Sequence, residues 1–242
     1  MADGDTVVTP ARRQSSDLRI RVMSAAVMLI IAGTALWIGG GVLDLFIVLV
    51  ALACLVELVL LVIKATANIA FRVAAILAGA VYVGLAAIAL LSLQGIYVAA
   101  VVGLVVCTDT GAYFTGRAVG GPKIAPSISP SKTWAGLIGG MIAAAAWLTV
   151  AVLAMTYASA GPSGTGLDPG ETLAHGRFAI AAAVGAGLAV AAQAGDFLES
   201  WLKRRAGVKD SSGLIPGHGG VFDRVDGLLP VAILAAWLMS RT

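Results

Sequence analysis

The chain has 242 residues, of which 59% are hydrophobic and only 12% are charged, with a formal net charge of +3. A typical soluble domain is about 45–50% apolar and about 25% charged, so this composition excludes an ordinary soluble protein. The apolar runs are long enough to cross a bilayer core, which takes about 20 residues per helix. They lack the alternation of barrel strands. We therefore expect an all-α fold, a polytopic bundle of transmembrane helices.

The predicted elements begin with a polar tail over 1–16, which has no apolar periodicity and is expected to be a disordered cytoplasmic segment. Residues 17–242 are expected to form a single membrane-embedded domain. We predict about seven spans, within a range of six to nine, at 20–40, 42–63, 69–93, 96–117, 134–157, 177–202 and 226–240. Cys54 and Cys107 lie inside such runs, which suits packing better than a disulfide or a metal site.

The basic residues predict an orientation. With a cytoplasmic N-terminus, every lysine and arginine except Arg177 and Arg241 falls on the cytoplasmic side, as the positive-inside rule requires. The two long cytoplasmic loops are then 117–133 and 203–225. Both loops are unusually polar, so we expect the functional residues to lie on the cytoplasmic face of the inner membrane. The Gly-, Pro- and Ser-rich segment 158–176 is expected to be a flexible connector on the far side.

Acidic residues inside apolar segments are costly and usually have a partner. Asp196, Glu199, Ser200 and Lys203 are spaced to share one face of a helix. A Glu199–Lys203 salt bridge would be a structural explanation, but it does not account for Asp196. Glu57 stands alone, and structural pairing and function are equally open for it.

The loop after this helix combines cations, glycines and acids. Lys209 is followed by a Pro-x-His-Gly-Gly turn, and then by Asp223 and Asp226, which are spaced to share a helical face. Glycines let backbone N–H groups approach a ligand closely, and Mg²⁺ sites combine carboxylates with substrate phosphates. The pattern favours a phosphate and metal site, in which His218 either contacts phosphate or caps the turn.

The other polar loop contains Asp109 and Tyr113, one helical turn apart, and then Ser129, Lys132 and Thr133 before a helix. Hydroxyl groups cap helix N-termini, where N–H groups favour anions. An ordinary capped helix with a snorkelling lysine is the alternative explanation.

With these motifs the sequence resembles the phosphatidate cytidylyltransferases, or CDP-diacylglycerol synthases. The signature Ser-x-apolar-Lys-Arg, Lys-Asp, Pro-x-His-Gly-Gly and Asp-Arg-x-Asp is met by Ser200, Lys203, Arg204, Lys209, Asp210, Pro216, His218, Gly219, Gly220, Asp223, Arg224 and Asp226. The resemblance covers roughly residues 17 to 240. It implies a nucleotidyltransferase of phospholipid biosynthesis that converts CTP and phosphatidate to CDP-diacylglycerol and pyrophosphate.

The resemblance also implies roles for individual residues. Catalytic roles are expected for Asp196, Asp223, Lys203 and Lys209. Substrate binding is expected for Ser129, Lys132, Thr133, Ser200, Arg204, His218, Gly219, Gly220, Arg224, Asp109 and Tyr113. Mg²⁺, alone or with a second cation, is expected on Asp196, Asp223 and Asp226. The expected partners are CTP, phosphatidate and membrane lipids, with no nucleic acid.

Two other classes of protein would share some of these features. A membrane CTP-using enzyme such as a polyprenol or phytol kinase would share the polar face, but the signature spacing argues against it. An ion-coupled transporter would place its acids near the midplane, often in paired repeats, and no repeat is evident here. Gly136, Gly140, Gly185 and Gly187 permit close helix contacts. These contacts could form within one chain or in a homodimer.

Overall fold

The computed structural model describes residues 10–159 and 176–241 of the chain. Within these ranges the helices are α1 (Pro10–Ile38), α2 (Gly40–Ala65), α3 (Ile69–Leu91), α4 (Gly95–Ala118), α5 (Trp134–Ser159), α6 (Arg177–Arg205), α7 (Phe222–Val225) and α8 (Leu228–Met239). A two-stranded hairpin, β1 (Lys123–Ala125) and β2 (Ser129–Thr133), connects α4 to α5. The predicted all-α polytopic fold is confirmed, and the hairpin is a small addition to it.

Two predicted flexible segments fall largely outside the described residues. Helix α1 begins at Pro10, within the segment predicted as a tail, and residues 1–9 are not described. The same holds for 160–175, which make up most of the predicted far-side connector. The division into a tail and one catalytic domain therefore stays a prediction.

Six helices in the described ranges are long and apolar enough to cross a membrane. They are Leu18–Ile38 within α1, Gly40–Ala65, Ile69–Leu91, Gly95–Ala118, Trp134–Ala158 within α5, and Arg177–Arg205. The seventh predicted span, 226–240, corresponds to α8, which has only 12 residues. At 1.5 Å per residue α8 is about 18 Å long, shorter than a hydrocarbon core of about 30 Å. Six long helices lie within the predicted range.

Pro230 explains why the last apolar segment is short. In a continuous helix the carbonyl group of Asp226 would accept a hydrogen bond from residue 230, but proline has no N–H. Helix α7 ends at Val225, and α8 begins at Leu228 with Pro230 in its first turn. The carbonyl oxygen of Asp226 packs instead against Gly195 of α6, where an added Cβ would lie 2.3 Å from it.

Small residues let α4, α5 and α6 pack backbone against backbone, as in other membrane bundles. An added Cβ would lie 2.9 Å from the Thr108 carbonyl oxygen at Gly140, and 2.6 Å from the Ala144 carbonyl oxygen at Gly185. The close contacts predicted for these two glycines therefore form within one chain. Gly187 has nothing within 4 Å of such a Cβ.

The core that supports the site is apolar and closely packed. Leu61 of α2, Leu104 of α4 and Val231 of α8 are fully buried. Cys54 is buried with Leu61, and both cysteines are free, as predicted. The short helix α8 thus packs one face against the longer helices, and it fixes the acidic residues that precede it against α6.

The hairpin positions the residues that lead into α5. Strand β2 pairs antiparallel with β1, with Thr133 opposite Lys123. The Thr133 hydroxyl accepts a hydrogen bond from the Gly136 N–H at 3.0 Å, so it caps α5 as predicted. Lys132 is thereby held at the entry of α5, facing α6.

Candidate active site

Asp223 is the centre of a dense polar network at one end of the bundle. Its Oδ1 accepts a hydrogen bond from Lys203 Nζ at 2.7 Å. Its Oδ2 accepts from the Ser211 N–H at 2.9 Å and from the Gly220 N–H at 2.7 Å, and it lies 2.8 Å from the Ser211 hydroxyl. Burial acts to raise the pKa of Asp223, but these hydrogen bonds and a contact with Glu199 outweigh it and hold the pKa well below its usual range. Asp223 is therefore a fixed negative charge.

Lys203 links two acids. Its Nζ lies 2.5 Å from Glu199 Oε2 as well as 2.7 Å from Asp223 Oδ1. The predicted Glu199–Lys203 salt bridge is confirmed. The pairing with Asp223 adds a contact between α6 and the residues that follow the loop, so the lysine is held in place by carboxylates on two elements.

The glycines of the loop make room for the Asp223 carboxylate. Gly217 and Gly219 have positive φ angles of 77° and 83°, which favour glycine, and the Ile215 N–H donates to the Gly219 carbonyl at 2.8 Å. An added Cβ at Gly219 would lie 2.7 Å from Asp223 Oδ2. The sequence predicts that Gly219 and Gly220 approach a substrate. In the structure the group that approaches both is Asp223.

A second cluster lies further along α6. Asp196 forms a salt bridge with Lys132, and an added Cβ at Gly227 would lie 3.0 Å from Asp196 Oδ1. Burial and the negative charge of Asp196 raise the pKa of Asp226. Asp223 and Asp226 both face α6, but Asp226 lies beside Asp196 and Asp223 beside Lys203. Asp196 and Lys203 are about 10 Å apart along the helix axis.

The donor set fits a hard divalent cation in part. Asp196 and Asp226 are neighbouring carboxylates, and Lys132 forms a salt bridge with Asp196; oxygen ligands of this kind suit Mg²⁺. The Oε1 atom of Glu199 is buried without a hydrogen-bond partner among the described residues. No group of three or more His, Cys, Asp or Glu side chains in the described ranges is arranged as a metal cluster. The Mg²⁺ site predicted on Asp196, Asp223 and Asp226 stays a prediction.

A polar cleft of about 450 Å³ opens between α4, the hairpin, α5 and α6. Its charged lining comprises Arg117, Lys123, Lys132, Asp109 and Asp196. Three cations against two acids favour an anionic ligand. The predicted residue Tyr113 lines the cleft together with Asp109 and Lys132. Its hydroxyl accepts a hydrogen bond from Arg117 at 2.9 Å.

An apolar groove of about 230 Å³ lies next to the cleft. Its walls come from α1, α2, α3, α4, α7 and α8, and Leu36, Phe46 and Val102 are among the lining residues. The polar residues of its lining are Asp109 and Arg224. Asp109 therefore lines both the polar cleft and the apolar groove.

The other predicted site residues occupy varied positions. Ser129 is buried in β2 and Ser200 is half-buried on α6, whereas Lys209 is exposed. Arg204 donates to the Ile128 carbonyl at 3.2 Å and so contacts the hairpin turn. None of these four lines the cleft as the structure describes it.

His218 and Arg224 have partners within the protein. His218 Nδ1 lies 2.8 Å from the Ser24 hydroxyl of α1, and Arg224 donates to the His218 carbonyl at 2.8 Å. The Nδ1 atom of His218 therefore contacts helix α1. The predicted substrate contacts of both residues stay predictions.

Some residues near the site were not predicted as such. Arg117 and Lys123 are among the basic residues that predict the orientation, and both line the cleft. Glu57 of α2 is 3% exposed and accepts hydrogen bonds from Ser211, Ser212 and two backbone N–H groups. The signal in the sequence was a lone acid in an apolar helix, but the partners of this acid lie more than 150 residues away.

The candidate spans and the charged cleft at one end of the bundle define a multi-pass membrane protein with a site suited to an anionic ligand. Comparison with known proteins makes this class specific. The profile of the cytidylyltransferase family matches residues 73–241. The chain belongs to this family.

Proteins named phosphatidate cytidylyltransferase are among its relatives. The chain is 44% identical over 167 residues to that of Brucella suis biovar 1, covering 65% of this chain and 54% of the relative. It is 43% identical over 129 residues to that of Haemophilus influenzae, covering 52% and 39%. For Pseudomonas aeruginosa the identity is 36% over 148 residues, covering 60% and 48%. The chain spans about half the length of the curated relatives it matches.

Proposed function

We propose that this protein transfers the cytidylyl group of CTP to phosphatidate, giving CDP-diacylglycerol and pyrophosphate. The observation that carries the proposal is the position of Asp109, which lines both the cationic cleft and the apolar groove. An enzyme that joins a water-soluble nucleotide to a membrane lipid needs a polar space and an apolar space beside one another. The names of the relatives from Brucella and Haemophilus support the same reaction.

The chemistry requires alignment and charge neutralisation. An anionic phosphate oxygen of phosphatidate attacks the α-phosphorus of CTP and forms a new P–O bond. The bond between that phosphorus and the oxygen bridging to the β-phosphate breaks, and pyrophosphate leaves with the electron pair. The attacking group is already ionised at neutral pH, so no strong general base is needed.

The cations of the site divide between the two substrates. Arg117, Lys123 and Lys132 line the cleft, and we assign them to the triphosphate of CTP. Arg224, at the polar end of the groove, is assigned to the phosphate of the lipid. Lys203 is held by Glu199 and Asp223, so its main effect is to fix the charges around it.

Mg²⁺ is the proposed cofactor. Asp196 and Asp226 would hold it, because they are adjacent carboxylates. Asp223 lies beside Lys203, about two turns further along α6. When bound, the ion supplies positive charge that stabilises the leaving pyrophosphate. Lys132 contacts Asp196 in the structure and would then be free to contact phosphate.

The proposed location is the cytoplasmic membrane, with the cleft facing the cytoplasm. The basic residues support this orientation through the positive-inside rule, and CTP is available on that side. Homodimer formation stays an expectation, with Gly187 as the glycine of the predicted set that has no close neighbour. Light scattering of the detergent-solubilised protein measures the oligomeric state.

The test is an assay of the full chain, purified in detergent, with radiolabelled CTP and phosphatidate in mixed micelles. We expect CDP-diacylglycerol as the product, its loss on addition of EDTA, and its recovery with excess Mg²⁺. ATP and dCTP in place of CTP define the nucleotide, and a polyprenol in place of phosphatidate tests the kinase alternative. The proposal is wrong if no product forms under conditions in which the Brucella suis relative is active.

A further inference from the structure

Glu57 is a buried carboxylate in the apolar helix α2, and no step of the proposed reaction uses it. It is 3% exposed. An acid inside a membrane span is costly unless polar partners compensate for it. The hydrogen-bond donors that compensate for the burial of Glu57 come from a single segment of the chain, residues 211–222.

Four hydrogen bonds connect Glu57 to the two ends of this segment. At one end Ser211 Oγ donates to Oε2 at 2.8 Å, and Ser212 Oγ donates to Oε1 at 2.7 Å. At the other end the Val221 N–H donates to Oε1 at 3.0 Å, and the Phe222 N–H donates to Oε2 at 2.8 Å. The Glu57 carboxylate therefore closes the loop 211–222 by joining its two ends.

The same segment holds Asp223. The Ser211 hydroxyl lies 2.8 Å from Glu57 Oε2 and 2.8 Å from Asp223 Oδ2, so its single proton is shared between the two acids. Gly220 also lies between them, since its N–H donates to Asp223 at 2.7 Å and an added Cβ would lie 2.3 Å from Glu57 Oε2. A displacement of Glu57 would therefore move the groups that orient Asp223.

We propose that Glu57 is a positioning residue, which fixes Asp223 and its pairing with Lys203 by closing the loop 211–222. This inference rests on the proposed function for its kinetic consequence, but the contacts themselves do not depend on it. Glu57 acts through Ser211, Gly220 and the backbone, without touching a substrate. Groups that orient the reactive residues of a site typically contribute about 10- to 100-fold to activity.

The test compares Glu57→Gln with the wild type in the full chain. The amide keeps the size of the side chain but places an NH₂ group against hydrogen-bond donors. We expect kcat to fall about 10- to 100-fold, with KM for CTP changed by less than about threefold, because the cleft that binds the nucleotide is formed by other elements. Ser211→Ala is expected to act through the same contacts, so the double variant should lose little more than Glu57→Gln alone.

Cys54→Ala is the matched control. Cys54 is fully buried on the same helix, about one turn from Glu57, and it lies outside the polar network. It should lower the unfolding temperature through a small cavity and leave kcat unchanged. If Cys54→Ala reduces kcat as much as Glu57→Gln does, general destabilisation explains the loss and the positioning role is wrong.

Hydrogen exchange gives a readout that needs no substrate. The amides of Val221 and Phe222 should exchange faster in Glu57→Gln than in the wild type or in Cys54→Ala, because their acceptor is altered. Equal exchange in all three proteins, or a kcat within about threefold of the wild type in Glu57→Gln, would overturn the proposal. If the wild type makes no CDP-diacylglycerol, the proposed function fails, and exchange still decides whether Glu57 holds the loop.

Discussion

Replacing Gly195 by alanine tests whether the close approach of α6 to the entry of α8 sets the geometry of the site. A Cβ at this position would lie 2.3 Å from the Asp226 carbonyl oxygen and 2.9 Å from Cγ of Pro230. Ordinary contacts of a Cβ begin at 3.4 Å. Both neighbours belong to a packed backbone segment, so α6 and the segment around Asp226 must separate by about 1 Å, as is typical of overpacked interfaces.

The expected effects on stability and on activity differ in size. Alanine gains about 1 kcal/mol over glycine from helix propensity, and overpacking costs about 1–3 kcal/mol, so the net loss of unfolding free energy should be small. Asp196 follows Gly195 in the chain, so the same separation would increase the distance between Asp196 and Asp226. A misplacement of about 1 Å at a catalytic site can cost about 100-fold in rate, so we expect kcat to fall by about that factor.

Two glycines on the same helix provide the controls. Gly187 has nothing within 4 Å of an added Cβ, so Gly187→Ala should keep full activity and gain stability from propensity alone. Gly185 would clash with the Ala144 carbonyl at 2.6 Å, but it lies about 15 Å along the helix from Gly195. Gly185→Ala should therefore lose stability without a comparable loss of kcat.

The measurements are kcat and KM for CTP in mixed micelles, together with thermal unfolding in the same detergent. The reasoning predicts that only Gly195→Ala combines a modest change in unfolding temperature with a large fall in kcat. Equal loss of activity in Gly185→Ala and Gly195→Ala would mean that packing of α6 as a whole controls the rate. Full activity in Gly195→Ala would refute the claim that this contact sets the distance between Asp196 and Asp226.

Three further predictions concern single side chains. Asp223→Asn should abolish turnover and lower the free energy of unfolding by about 3 kcal/mol, because it leaves a buried network with an unmatched charge. The pKa of Asp223 is lowered in the folded protein, so its stabilising effect is fully present above its unfolded pKa of about 3.9. The effect is lost as pH falls through the lower folded pKa, and wild type and Asp223→Asn should differ equally in unfolding temperature from pH 8 to pH 5. A difference that shrinks within this range would contradict the assignment. Lys132→Met should raise KM for CTP about tenfold, equivalent to about 1.4 kcal/mol, whereas Arg205→Gln, which removes a cation stacked on an exposed tryptophan outside the cleft, should not. An equal rise in both variants would indicate a general effect of charge. Thr133→Ala should cost about 1 kcal/mol as a lost helix cap, measured by thermal unfolding, while Thr133→Ser should retain most of the stability; equal losses would argue against capping.

The sequence predicted those features that depend on neighbours along the chain. The helix spacing of Glu199 and Lys203 predicted their salt bridge, and the position of Thr133 before an apolar run predicted its cap. The polar loop predicted at 203–225 follows α6, which ends at Arg205. These predictions succeed because interactions over three or four residues follow from helical geometry alone.

Contacts between distant segments could not be predicted in the same way. Lys132 pairs with Asp196 across 64 residues, and Glu57 accepts from Ser211 across 154. The position of Glu57 in an apolar helix predicts that it has a polar partner. The sequence alone does not predict which neighbouring segment its side chain faces. The partner becomes visible only when the packing of α2 against the loop is known.

The segment around the last helix shows both a feature predicted from local spacing and a contact between distant segments. The spacing of Asp223 and Asp226 predicts a shared face, and both do face α6. Pro230 also lies in the sequence, and its missing N–H explains why α7 and α8 are separate. The carbonyl oxygen of Asp226 then has no helical donor at position 230, and only a glycine at position 195 lets α6 approach it closely. The break in the helix and the glycine opposite it together bring Asp226 beside Asp196, so the acidic pair depends on a proline and a glycine that carry no charge.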